Sequence, residues 1–274
     1  MYGGAAASRP DPVEAQLTPS VWSPSFEPLF LGLTLVAAVL YFRAARAEPP
    51  PRGRVALFAL GLVLIAGALN SPLETISDHY LLLFHLLQNV MIADWAPPLL
   101  LLGLTPAMRR GLADRGGTFL RTLTRPRLAL LLWLSAWYGV HVPALYDWAL
   151  RTQWPLNIEH ALLIGAGLVF WWPLLEPAPR RLSTDGTLAY LGIAFITSPW
   201  LSLALIFTSR PLYGFYVHAP RLWGLSATTD QNLGGMLMNA ELTAILFVLF
   251  AYHLLRLLSE EERAQRALDG APVP

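Results

Sequence analysis

Imidazole and thioether are the metal-binding side chains this chain has to offer, since it contains six His and five Met but no Cys. Without Cys there is no disulfide, no thiol nucleophile and no thiolate metal site. Imidazole and thioether together suit copper, and the thioether favours Cu(I). His85 is followed by Gln88 and Asn89 at i+3 and i+4, on its own helical face, with Met91 and Asp94 beyond. His141 precedes Val142-Pro143, with Tyr146 and Asp147 close behind, and Glu159 directly precedes His160. Asp230-Gln231-Asn232 leads into Gly234-Gly235, Met236 and Met238, with Glu241 on the face of Met238. The candidate ligand set is His85, His141 and His160, with Met236 or Met238 as the soft ligand. Asn89, Asp94, Glu159, Asp147, Asp230 and Glu241 are the polar groups that could orient it.

Each of these residues also has a plainer reading. His85 and Asn89 could bridge helices by hydrogen bonds, and His141 could mark a helix end at an interface. Glu159 and Asp230 could cap the first turns of their own helices, where the dipole favours a carboxylate. Met236 and Met238 are two residues apart on a helix, so at most one faces a site and either could be packing. His79 and His218 read as solvated. Glu241 is the hardest to set aside, because it falls in the middle of an apolar segment, where an ionisable group costs at least about 2.5–3.5 kcal/mol.

The elements that must position these groups are membrane spans. Of the 274 residues 55% are hydrophobic and 14% charged, too few charges to coat a water-soluble exterior. Seven segments, 27–43, 55–70, 79–104, 128–148, 157–175, 187–208 and 233–257, are long and apolar enough to cross a bilayer. The expected fold is therefore all-α, a seven-transmembrane-helix bundle. Residues 1–26 form an extracytoplasmic tail, 27–257 the membrane domain and 258–274 a cytoplasmic tail, with a helical extension around Glu260, Glu261 and Glu262. The first 26 residues lack the basic and apolar regions of a signal peptide. Pro97-Pro98 and Pro199 are expected to kink the third and sixth spans.

All 19 basic residues are Arg. Only Arg9, Arg151, Arg210 and Arg221 fall on the side of the N-terminus, and the other 15 fall on the side of the C-terminus. The positive-inside rule then puts the N-terminus outside and the C-terminus in the cytoplasm. Five of the six His, all but His253, then lie in the outer half or outer loops. Trp148 and Trp154 on the outer side and Trp171 and Trp172 on the inner fit interfacial aromatic belts.

The stretch from Phe84-His85 through Gln88-Asn89-Val90-Met91 to Ala96-Pro97-Pro98 and Gly103 resembles the hallmark of the CtaG-type cytochrome c oxidase assembly factors of the caa type. Three further stretches agree, His141-Val142-Pro143 to Trp148, Glu159-His160 leading into Phe170-Trp171-Trp172-Pro173, and Asp230-Gln231-Asn232 to Met238. The match runs along roughly residues 60–255. The resemblance implies a seven-span plasma-membrane protein that matures terminal oxidases, handling copper on the outer side, with oxidase subunits as partners. The family's third helix carries two His at i and i+4, and here the second position is Asn89, which removes one imidazole from any copper site built on that helix.

The function expected is thus an oxidase assembly factor, not an enzyme, working in the lipid bilayer with a copper ion as its possible cofactor and no nucleic-acid partner. A proton- or metal-coupled transporter using Glu241, Asp94 and kinked helices is the alternative. A b-type haem protein using His pairs is another. A retinal photoreceptor is excluded, because the chain has no Lys to form a Schiff base.

Overall fold

The computed structural model describes residues 19–175 and 182–269. The expectations for Arg9, Arg180 and Arg181, and for both ends of the chain, fall outside these residues. Every regular element among them is a helix. In chain order these are α1 (Pro28–Ala45), α2 (Arg52–Leu69), α3 (Pro72–His79), α4 (Leu82–Val90), a π turn (Met91–Trp95), α5 (Ala96–Gly103) and α6 (Pro106–Leu123). There follow α7 (Pro126–Val140), α8 (Pro143–Ala149), α9 (Gln153–Leu175), α10 (Thr184–Thr197), α11 (Pro199–Phe207), α12 (Gly214–His218) and α13 (Ala227–Asp269).

Six straight stretches are long and apolar enough to span a membrane, namely α1, α2, α4 through α5, α9, α10 with α11, and α13. The seventh expected span is the pair α7 and α8, bent by 74°. The chain is a multi-pass membrane protein. Its outward faces are apolar, as lipid requires, with Leu35, Val39, Ile196, Phe207, Phe247 and Val248 all more than half or nearly half exposed.

Proline punctuates the chain. It opens α1, α3, α6, α7, α8 and α11, where its missing N–H costs nothing. Ser71, Thr105 and Ser183 cap their helices by accepting from Leu73, Met108 and Gly186 backbone N–H groups. Pro143 drives the residue before it out of the helical region, so Val142 is extended at ψ 122° and the 74° bend follows.

The span from Leu82 to Gly103 is the most buried and forms the centre of the bundle, touching α2, α9 and α13. Pro97 and Pro98 do not simply kink it. They rob the carbonyls four residues earlier of helical donors, and the chain responds with a π turn in which the Ala96 N–H reaches back to the Met91 carbonyl. Helix α9 lies directly on this turn at Gly167, where a Cβ would come within 2.2 Å of the Ala93 carbonyl oxygen.

Several sequence expectations shift. The third span begins at Leu82 and not at 79, because Tyr80 and Leu81 break the chain between α3 and α4. The Arg-rich stretch after Gly103 is helical, with a break at Gly117, whose φ of 53° only Gly adopts readily. Trp171 and Trp172 are buried in the core with Trp133, Phe170 and Tyr190, not set at an interface. Pro199 does divide the sixth span, and α13 continues as one helix through Glu260, Glu261 and Glu262.

Candidate functional site

One end of the bundle collects α3, the start of α4, the α7–α8 bend, the start of α9, α12 and the start of α13. His85 lies here, on the inward face of α4 and fully buried. Its Nε2 is 3.1 Å from Glu159 Oε1 on α9, and its Nδ1 is 3.0 Å from the Tyr216 hydroxyl on α12. That hydroxyl donates to the Ser77 carbonyl at 2.6 Å. Its oxygen is then left to accept from His85 Nδ1–H, and His85 Nε2 and Glu159 hold one proton between them. This assignment follows from the hydrogen-bond network. Asn89 donates to the same Glu159 oxygen at 3.3 Å. His85, Asn89 and Glu159 thus form one bonded group.

The other two imidazoles sit close by. His160 is fully buried, its ring 6.1 Å from that of His85 and 5.8 Å from Phe30. Neither of its ring nitrogens has a hydrogen-bond partner. His141 donates from Nδ1 to the Trp137 carbonyl at 2.7 Å, which leaves its Nε2 lone pair buried and unpartnered. The Tyr146 ring lies against both His85 and His141, with centroids 4.9 and 5.7 Å away, and its hydroxyl is also buried without a partner. Tyr213 packs against Tyr146, the rings tilted by 36°, and donates to the His141 carbonyl at 3.1 Å. Buried polar atoms are almost always paired, so this concentration of unpaired ones marks a place for a ligand or water.

The remaining candidates divide. Met238 is buried in the apolar core, whereas Met236 is half exposed on the outside of α13. Asp230 does not cap its own helix. Its two oxygens each accept at 2.9 Å from the Leu82 and Leu83 N–H groups, capping α4 from α13, with Arg221 3.7 Å away. Asp147 similarly caps α12 through Gly214 and Phe215 N–H, at 3.0 and 3.1 Å. Glu241 faces the bundle as its cost in lipid demands, and its polar neighbours come from the central span. It accepts from Trp95 Nε1 at 2.8 Å and lies beside buried Asp94, both residues of the π turn. Among the described residues no three His, Asp or Glu side chains come together in a way that could hold a metal ion.

A second polar group adjoins the first. Glu74 of α3 is fully buried and accepts from Gln88, which also donates to the Ala68 carbonyl at 3.0 Å. Burial, then the neighbouring Asp78 and Glu27 carboxylates, push the Glu74 carboxyl up to about 10 against the pull of Gln88. Asp78 is pushed up to about 6, mainly by burial. Gln153 donates to buried Glu27 at 2.5 Å, tying α9 to the start of α1. Glu74, Tyr213 and Tyr216 were not among the sequence candidates. Tyr213 and Tyr216 sit at the start of and within a short loop helix, in a connection that also carries Leu212, Phe215, Val217 and Trp223, so nothing in the sequence singled them out for burial.

The family model for the cytochrome c oxidase caa3 assembly factor (Caa3_CtaG) matches residues 36–260. The chain belongs to that family. The match takes in every residue of the His85–Glu159 group and both polar caps. No curated protein and no solved structure matches the chain. The family is one of cytochrome c oxidase caa3 assembly factors.

Proposed function

We propose that this assembly factor works in the plasma membrane, handles copper for the maturing oxidase at the His85 end of the bundle, and carries out no catalysis of its own. The Arg asymmetry supports placing that end outside the cell. The observation that supports copper is that two buried His residues, His141 and His160, each keep at least one ring nitrogen without a hydrogen-bond partner. His141 is oriented as metal-binding His residues commonly are, with Nδ1–H on a backbone carbonyl and Nε2 free. His160 has both nitrogens free. The two would supply soft-to-borderline nitrogen donors, and Cu(I) accepts low coordination numbers. His85 is engaged at both nitrogens, so its part is to hold Glu159 and the shared proton beside those imidazoles.

The test is Cu(I) binding by the purified protein in detergent, measured by competition with a chromogenic chelator. His141→Ala and His160→Ala should each lower copper retention and reduce copper in the mature oxidase, with membrane insertion unchanged. His85→Ala should do the same less directly. A protein that takes up no Cu(I), or variants that leave oxidase copper untouched, would remove the copper role and leave assembly by protein contacts alone.

A further inference from the structure

The 74° bend between α7 and α8 opens a groove of about 310 Å³ in the side of the bundle. Ser135, Ala136 and Gly139 of α7 form one wall, Trp148 of α8 the roof, and Ile158 and Glu159 of α9 the other wall. Its surroundings are membrane-facing, since Leu145, Trp148, Ile158 and Leu162 are all about half exposed and apolar. Glu159 is the only ionisable group along it. Both bonds described for that carboxylate, from His85 and Asn89, fall on Oε1, which leaves Oε2 available to the groove. A Cβ built on Gly139 meets nothing within 4 Å, so this wall is open to an incoming side chain.

We infer that the groove is the docking site for a transmembrane helix of the oxidase subunit being assembled, one that carries a hydrogen-bond donor at the depth of Glu159. The inference rests on the assembly reading above and names where that partner binds. Two complementarities select this occupant. Ser135 and Gly139, four residues apart with Ala136 beside them, present a low wall of the kind that lets two helices approach closely in lipid. An acyl chain would fill the groove equally well but would leave the Glu159 carboxylate facing hydrocarbon with its second oxygen unsatisfied, a costly arrangement. A helix bearing Ser, Thr, Tyr or Trp satisfies both wall and carboxylate. Because Leu145, Trp148, Ile158 and Leu162 face the bilayer, the partner enters sideways from it, and at Glu159 it arrives one side chain away from His85.

The test uses the full chain in cells that make the oxidase. A photo-crosslinking residue is placed at Leu145 or Ile158 on the rim, and at Ile193 or Phe247 as exposed apolar positions elsewhere. Rim positions should give an adduct with an oxidase subunit and the other positions should not. Gly139→Leu, whose Cβ meets nothing within 4 Å and whose side chain would occupy the groove, should weaken the adduct about tenfold, equivalent to about 1.4 kcal/mol of docking free energy. Gly165→Leu, also in open space on α9, should leave it intact. Adducts to lipid or quinone alone, adducts to a second copy of this chain, or an adduct unaffected by Gly139→Leu would each overturn the docking site. In those cases oxidase maturation would still fail when this protein is deleted. Normal maturation in the deletion strain would instead overturn the assembly reading itself.

Discussion

Replacing Gly167 with Ala tests the packing that holds α9, and with it Glu159 and His160, against the central span. The added Cβ would stand 2.2 Å from the Ala93 carbonyl oxygen and 2.8 Å from Pro97 Cγ. An ordinary carbon–oxygen contact is about 3.3 Å, so the two helices must part by about 1 Å at this point. The clashing atom is backbone, in a π turn already fixed by Pro97 and Pro98, and it cannot rotate away as a side chain would. Overpacking of this kind costs about 1–3 kcal/mol, and the rigid partner argues for the upper end. Gly165 on the same helix is the internal control, because a Cβ there meets nothing within 4 Å. Ala in place of Gly within a helix gains about 0.5–1 kcal/mol, so Gly165→Ala should be neutral or slightly stabilising. The assay is thermal unfolding in one detergent at one scan rate, followed by Trp fluorescence. If Gly167→Ala melts at or above the wild type, the close approach of α9 to the π turn is wrong.

Two further outcomes are expected. Glu74 is pushed up to about 10 from an ordinary 4.5, so between those pH values the folded protein holds a proton that the unfolded chain releases, and stability falls as pH rises through this window. Glu74→Gln has no proton to lose and should flatten that part of the stability–pH curve; parallel curves for the two proteins would contradict the raised carboxyl. For orientation, a reporter fused to the C-terminus should be active only in the cytoplasm and one inserted at Thr152 only outside, and reversed activities would move the His85 end to the inner face.

The sequence by itself determined that the chain crosses the membrane as helices, roughly where each span lies, and that five of its six His crowd toward one end. It could do so because lipid offers the backbone no hydrogen bonds, so an apolar run of sufficient length has only the helix open to it. The motifs around His85, His141, Glu159-His160 and Asp230 were enough to place the family. Which polar groups meet was decided by the tertiary structure alone. Asn89 went to Glu159, Asp230 capped α4 in place of its own helix, Asp147 capped α12, and Trp171 and Trp172 turned inward. Apart from the His85 face of α4, these spans are apolar on nearly every face, so little periodicity reveals their rotation. One residue of slip turns a side chain by about 100° and moves it about 1.5 Å along the axis. The π turn adds such a slip in the middle of the central span, which is why Glu241 meets Asp94 and Trp95. The bend at Val142-Pro143 was legible as a helix break, but the groove it opens depends on where α8 and α9 then pack.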